Sequence, residues 1–192
     1  TGSSEVGKIL IKKSSSTVKK LSMELGGNAP FIIFDDSDID LAIEGVMLSK
    51  FRNSGQTCVC ANRIYVQKRI YNLFLKKFIT KVKNLKVGSG LDPSVEIGPL
   101  INKNATKKVA KILEDALSKG AKILLGGIKH NYGDSFVEPT IVTNISDNML
   151  ICSTEIFGPV AAIYSFDDEK EIIKIANNTR AGLAAYFYGK NN

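Results

Sequence analysis

Tryptophan is absent from the 192 residues, histidine occurs once and cysteine three times. These scarcities exclude chemistry at the outset. A metal site needs several converging ligands, and His130 with the distant pair Cys58 and Cys60 is too small a set, so no metal is expected. An odd cysteine count at uneven spacing is not a secreted disulfide framework. It fits an intracellular, reducing compartment. No apolar run approaches the roughly 18–20 residues that span a bilayer, and the polar, then basic and serine-rich start has no secretory apolar region. No membrane partner is expected. Arginine is scarce as well, with Arg52, Arg63, Arg69 and Arg180 the full set. The formal charge of +7 therefore rests on lysines, which punctuate apolar residues at helical spacing as on solvated helix faces. No nucleic-acid partner is expected.

What is present is ordinary for a globular chain: 44% hydrophobic and 23% charged residues, enough to bury one good core. Helical and strand-like patterns alternate, which makes the class α/β. Residues 3–13 read as a short helix with Val6, Ile9 and Leu10 on one face. Residues 18–25 and 31–34 read as strands separated by the turn GGNAP. Asp38 is placed to cap a helix running to about Phe51, with Leu41, Ile43, Val46, Met47 and Leu48 as its apolar bulk. A strand over 63–67, a helix over 71–82, a Gly/Ser/Pro-rich loop and a helix over 102–118 follow, the last ended by Gly120. Strands are expected at 122–125, 160–166 and 184–188, and a helix begins at Asp168. The stretch FVEPTIVTNI is β-like but carries Pro139, which suits an edge or an irregular strand.

Four short stretches could carry chemistry. GSSEVGKI, at Gly2–Ile9, is nearly a P-loop, but Ile9 stands where a magnesium-binding hydroxyl is needed. In NSGQTCVCANR, residues 53–63, Cys58 follows a tight turn. A helix starting there would offer free N–H groups to a thiolate or an oxyanion; the competing reading is a small buried cysteine. In MELGGN, residues 23–28, Glu24 ends a strand-like run before two glycines, which allow close backbone approach. It could act as a general base or be a solvated turn residue. In TEIFGPV, residues 154–160, Gly158-Pro159 exposes Glu155 and Phe157 together. A carboxylate accepts from sugar hydroxyls and a ring packs on a flat heterocycle, though a loop with one packed phenylalanine would look the same.

Taken in order, GSSEVGK, MELGGN, SGQTCVC, EPTIV and EIFGPV resemble the NAD(P)-dependent aldehyde dehydrogenase superfamily over essentially the whole chain. SKFRNSGQTCVCANR, ELGGNAPFIIFDDSDID and GLAAYFY look like its succinate-semialdehyde branch. The resemblance implies Cys58 as the nucleophile, its backbone N–H as an oxyanion donor and Glu24 as the base that activates the hydrolytic water. It implies NAD or NADP as cofactor, met by Gly2, Ser3 and Gly7 of the first loop, by Glu155 at the nicotinamide ribose and by Phe157 beside the nicotinamide. Arg52, six residues before Cys58, would bind the distal carboxylate of a semialdehyde; otherwise it is a surface helix arginine. Cys60 becomes a candidate redox partner of Cys58. Lys8 is then a solvated side chain, and Ile9 a helix residue facing the core.

The expected fold is an aldehyde dehydrogenase-like catalytic domain, a mostly parallel sheet flanked by helices, over 27–192. Residues 1–26 would be the C-terminal end of a Rossmann-like dinucleotide-binding domain. The residue selecting NAD or NADP and the side chain completing the oxyanion hole would lie outside these 192 residues, so the chain alone is expected to be inactive. The whole protein is expected to be a homodimer or homotetramer acting on a small aldehyde. Two alternatives stand beside this: a relative acting on another small or carboxylated aldehyde, and a catalytically silent fragment serving as an assembly module.

Overall fold

The computed structural model describes residues 1–127 and 130–190. Helices start where short polar side chains cap them. Ser3 accepts from the Val6 N–H at 3.3 Å to open α1 (Ser4–Ser15). Asp38 accepts from the N–H groups of Asp40 and Leu41 at 3.0 and 3.1 Å to open α2 (Ile39–Phe51). Asn102 does the same for α4 (Lys103–Ser118), and Asp168 for α6 (Glu169–Asn177). Each satisfies backbone donors that a helix start leaves without partners. Between them, α3 (Lys68–Lys83) follows directly on a strand and starts before the 71–82 range read from its apolar stripe. The single turn α5 (Leu150–Ser153) is too short for periodicity to reveal.

Six strands form one sheet: β1 (Ala29–Ile33), β2 (Ala61–Gln67), β3 (Lys122–Leu125), β4 (Thr140–Thr143), β5 (Val160–Phe166) and β6 (Tyr186–Tyr188). Their order is β3-β4-β5-β2-β1-β6. All pairs are parallel except β3–β4. Both faces are covered, as a parallel sheet requires. Ile64 and Val66 of β2 point into a core with Phe74 and Phe78 of α3 and Ile43 and Val46 of α2. Tyr65, one residue out of phase, packs with Phe166 and Ile172 of α6. Val109, Ile112 and Leu113 of α4 cover Val142, Val160 and Ala162.

Four expectations are corrected. Residues 18–25 are not a strand: Val18 sits at φ +51° and is 88% exposed, and no strand lies alongside them among the described residues. Alternation without a ladder partner is only extended chain. Ile9 does not face a core; Val6, Ile9 and Leu10 are all exposed, and Gly7 alone is buried in α1. In α2, Leu41 and Leu48 point to solvent while Ala42 and Lys50 are buried. Of the edge or irregular strand expected after Pro139, the edge is overturned: the strand is interior, between β3 and β5, and its pairing with β3 carries a register shift. It begins at Thr140, so the proline precedes the ladder and removes no donor from it.

Candidate active site

Strands β5, β2 and β1 are adjacent and parallel, so their amino ends share one edge of the sheet. Each of three sequence stretches ends where one of these strands begins. ELGGN precedes Ala29, SGQTCVC precedes Ala61, and EIFGP precedes Val160. Open α/β sheets ordinarily hold ligands beyond their carboxyl ends; here the chemistry-bearing residues gather at the opposite edge.

The junction is Gly26-Gly27. The Gly27 N–H donates to Glu155 Oε1 at 3.0 Å. A Cβ on Gly26 would come 2.7 Å from Glu155 Oε2, and one on Gly27 would strike the carbonyl oxygen of Cys58. The glycines thus let the Glu24 loop touch the cysteine turn and the Glu155 loop at once. The first loop joins them: Gly2 N–H donates to the Glu24 carbonyl at 3.1 Å, and Gly7 packs against the Leu25 side chain. The carboxylate of Glu24 itself is exposed.

Cys58 is half-buried in a turn, and no helix begins there. The expected helix N–H groups are therefore not what surrounds the sulfur. Instead the chain leaves α2 through a tight turn, Arg52–Gly55, in which Asn53, Ser54 and Gly55 have φ of 54°, 56° and 75°. Two consecutive non-glycine residues in this region are sterically costly, and side-chain bonds hold them. Ser54 Oγ donates to the Gly98 carbonyl at 3.0 Å and Asn53 Nδ2 to the Gln56 carbonyl at 3.0 Å. Gln56 accepts from the Ile101 N–H at 2.9 Å. Gly55 lies against the Gly158 carbonyl, which docks this turn on the EIFGP loop. Phe157 in that loop is itself left-handed, φ 55°, and 37% exposed.

Arg52 is exposed at the start of the turn. The hydroxyl of Tyr186, in β6, donates to the Val59 carbonyl, between the two cysteines in sequence, at 2.8 Å. Burial raises the pKa of that phenol, with Cys60 and Cys58 adding to the rise and the Arg52 guanidinium opposing it. Cys60 points away from solvent toward Lys50, whose Nζ donates to Sγ at 3.3 Å.

Three residues that the motif reading passed over hold the edge together. Asn62 Nδ2 donates to Asn28 Oδ1 at 2.6 Å and to the Thr154 carbonyl at 3.0 Å, while its Oδ1 accepts from the Ile156 N–H at 3.0 Å. One side-chain amide thus brackets Glu155 on both sides. Asn28 Nδ2 donates to the Cys152 carbonyl at 3.2 Å. Arg63 donates through Nε and Nη2 to the Asn28 carbonyl and through Nη2 to that of Ala176. All three are buried: Asn62 is 2%, Asn28 7% and Arg63 3% exposed. A signal existed, since polar residues stood at both strand entries in GGNAP and CANR, but polarity beside a turn ordinarily marks solvent.

The Aldehyde dehydrogenase family model matches residues 1–192. The chain is 58% identical over 191 residues to the mitochondrial succinate-semialdehyde dehydrogenase of Oryza sativa subsp. japonica, covering 100% of this chain and 36% of that protein. It is 53% identical to the 3-sulfolactaldehyde dehydrogenase of Pseudomonas putida, over 100% of this chain and 39% of that one. The crystal structure of an NADP-dependent enzyme from E. coli superposes with a TM-score of 0.97 at 49% identity, covering 99% of this chain and 40% of that chain. The chain therefore spans about two fifths of the length of these relatives.

Proposed function

Because the chain belongs to the aldehyde dehydrogenase family, we propose that it carries the catalytic edge of an NAD(P)-dependent enzyme oxidising an aldehyde with an anionic tail, succinate semialdehyde first. The observation that carries this reading is the Gly26-Gly27 junction, where the Glu24 loop, the Cys58 carbonyl and the Glu155 carboxylate meet.

Cys58 is the nucleophile. Its thiolate attacks the aldehyde carbon, forming a carbon–sulfur bond, and the Cys58 N–H is the donor that meets the resulting oxyanion. A bound nicotinamide dinucleotide supplies the hydride acceptor. Its fit rests on Glu155, whose carboxylate is held in place by the Gly27 N–H and by the Asn62 bracket. It rests also on Phe157, whose backbone holds a partly exposed ring beside it. Ser3 at the α1 N-terminus, with Gly2 and Gly7, would hold the phosphates of that dinucleotide. Loss of hydride leaves a thioester on Cys58. Glu24, exposed and therefore reachable by water, takes a proton from the water that hydrolyses it. Residues 1–26 are read as the last edge of the dinucleotide-binding unit and 27–192 as the catalytic unit.

Arg52 is assigned to the distal anion of the substrate. The two named relatives favour this, since a semialdehyde carboxylate and a sulfonate are both anions that a guanidinium pairs with. The test uses the full-length protein with NAD and NADP against succinate semialdehyde, 3-sulfolactaldehyde and an uncharged aldehyde of similar length. Preference for the anionic aldehydes, lost in Arg52→Gln by about 10- to 100-fold in kcat/KM, supports the assignment; a loss of about 1.5–3 kcal/mol is ordinary for a charged hydrogen bond. An unchanged preference rejects Arg52, and absence of nicotinamide-dependent oxidation of any aldehyde rejects the whole reading.

A further inference from the structure

Lys50 is fully buried in the last turn of α2. Among the described residues, its Nζ has one hydrogen-bond partner, the sulfur of Cys60 at 3.3 Å. Cys60 is 7% exposed, and its sulfur lies 3.6 Å from the Lys50 carbonyl oxygen and 3.7 Å from that of Ala61. An ammonium withdrawn from water is costly unless an opposite charge or a shared proton compensates it. The sulfur is the group in position to do so. The nitrogen and the sulfur, each a potential nucleophile, are thus in direct contact away from water.

We infer that Lys50 and Cys60 form a peroxide-reactive pair that closes into a covalent sulfur–nitrogen link. The sulfur attacks a peroxide oxygen: an S–O bond forms, the O–O bond breaks and water leaves. Sulfur is oxidised by two electrons and the peroxide is reduced. The Lys50 nitrogen then attacks the sulfenic sulfur. An S–N bond forms, the S–O bond breaks and a second water departs with the proton lost from nitrogen. Sulfenic acids are known to condense with nitrogen in this way, and no second oxidant is consumed. The Lys50 side chain in contact with Sγ supplies the electropositive setting in which a thiol becomes reactive. The link ties the end of α2 to the entry of β2. It brackets the Arg52–Gly55 turn and Cys58, and leaves the Cys58 thiol free.

The inference does not depend on the proposed reaction. The full-length protein is treated with hydrogen peroxide, its free thiols are alkylated, and it is digested and mapped by mass. The expected product is a linked pair of peptides containing Lys50 and Cys60, two hydrogens lighter than their sum, separated again by dithiothreitol, with Cys58 alkylated. Lys50→Arg keeps a cation at the position and is expected to abolish the link and leave Cys60 as a sulfenic acid that dimedone traps. A Cys58–Cys60 disulfide, an oxidised Cys60 with Lys50 unmodified, or a Cys60 that remains alkylatable overturns the inference.

Discussion

Replacing one hydrogen of Gly27 by a methyl group would drive carbon into the Cys58 carbonyl oxygen, and the neighbour that must yield is backbone. Gly27→Ala is therefore expected to cost about 1–3 kcal/mol, the range for overpacking a tight contact, and urea unfolding of the full-length protein reads it directly. Activity is expected to fall further than stability, because the displaced atom belongs to Cys58, the proposed nucleophile. Gly90→Ala is the control: its φ is ordinary and nothing lies within 4 Å of its added carbon, so stability is expected to stay unchanged. At the same scale, Glu24→Gln is expected to lower steady-state turnover about 10²–10⁴-fold, the usual contribution of a positioned base. Stability is expected to change little, since Glu24 is exposed. The close backbone approach at Gly26-Gly27 was legible in the sequence, because paired glycines permit it. Asn28, Asn62 and Arg63 were not, because only folding turns them inward.

At the scale of elements, the site depends on three parallel strands beginning at one edge, with Asn62 spanning the gap between two of their entry loops. Asn62→Ala leaves Asn28 Oδ1, the Thr154 carbonyl and the Ile156 N–H without their partner, and each buried orphan costs about 1–3 kcal/mol. If the amide serves to hold Glu155, the KM for the dinucleotide rises more than the KM for the aldehyde; equal effects on both would assign it stability alone. A second element contact titrates. The Lys119 ammonium and the Leu150 N–H, both donating to Asp115 at 2.7 Å, hold the Asp115 carboxyl below its ordinary value. A carboxyl lowered by folding contributes stability above its unfolded pKa and loses it as pH falls through the folded one. The α4–α5 contact is therefore expected to weaken in acid below the ordinary carboxylate range. Asp115→Asn should flatten that part of the stability–pH curve. Helix starts were readable because Asp38, Asn102 and Asp168 act within their own first turn. Residues 18–25 were misread because strand pairing depends on a neighbour that local alternation cannot supply, and the burial of Lys50 was invisible because lysine ordinarily marks a solvated face.

For the whole molecule, one feature sets α1 apart. Val6, Ile9, Leu10 and Ile11 are 46%, 54%, 45% and 47% exposed on a helix that buries only Gly7. The sheet and its flanking helices share buried cores, whereas the first segment meets the rest through Gly2, Gly7 and the Glu24 loop. With relatives more than twice as long, the proposal is that residues beyond these 192 complete the dinucleotide site. The 192 residues expressed alone are expected to show no aldehyde turnover with either dinucleotide, and the full-length protein to show it; turnover by the short chain would contradict that division. The α/β class followed from the alternation of patterns, and the mostly parallel sheet flanked by helices from the family resemblance. The gathering of the site at the amino edge of β5, β2 and β1 required the strand order, which no local pattern encodes.

In the proposed reaction Cys58 carries the acyl group and Glu24 releases it. Full-length Glu24→Gln protein, mixed with succinate semialdehyde and the dinucleotide and quenched in acid, is mapped for the peptide containing Cys58. The expected result is one burst of reduced dinucleotide per active site and a succinyl group bound as a thioester at Cys58. An unmodified Cys58 after a full burst, or an acyl group on any other residue, would contradict it.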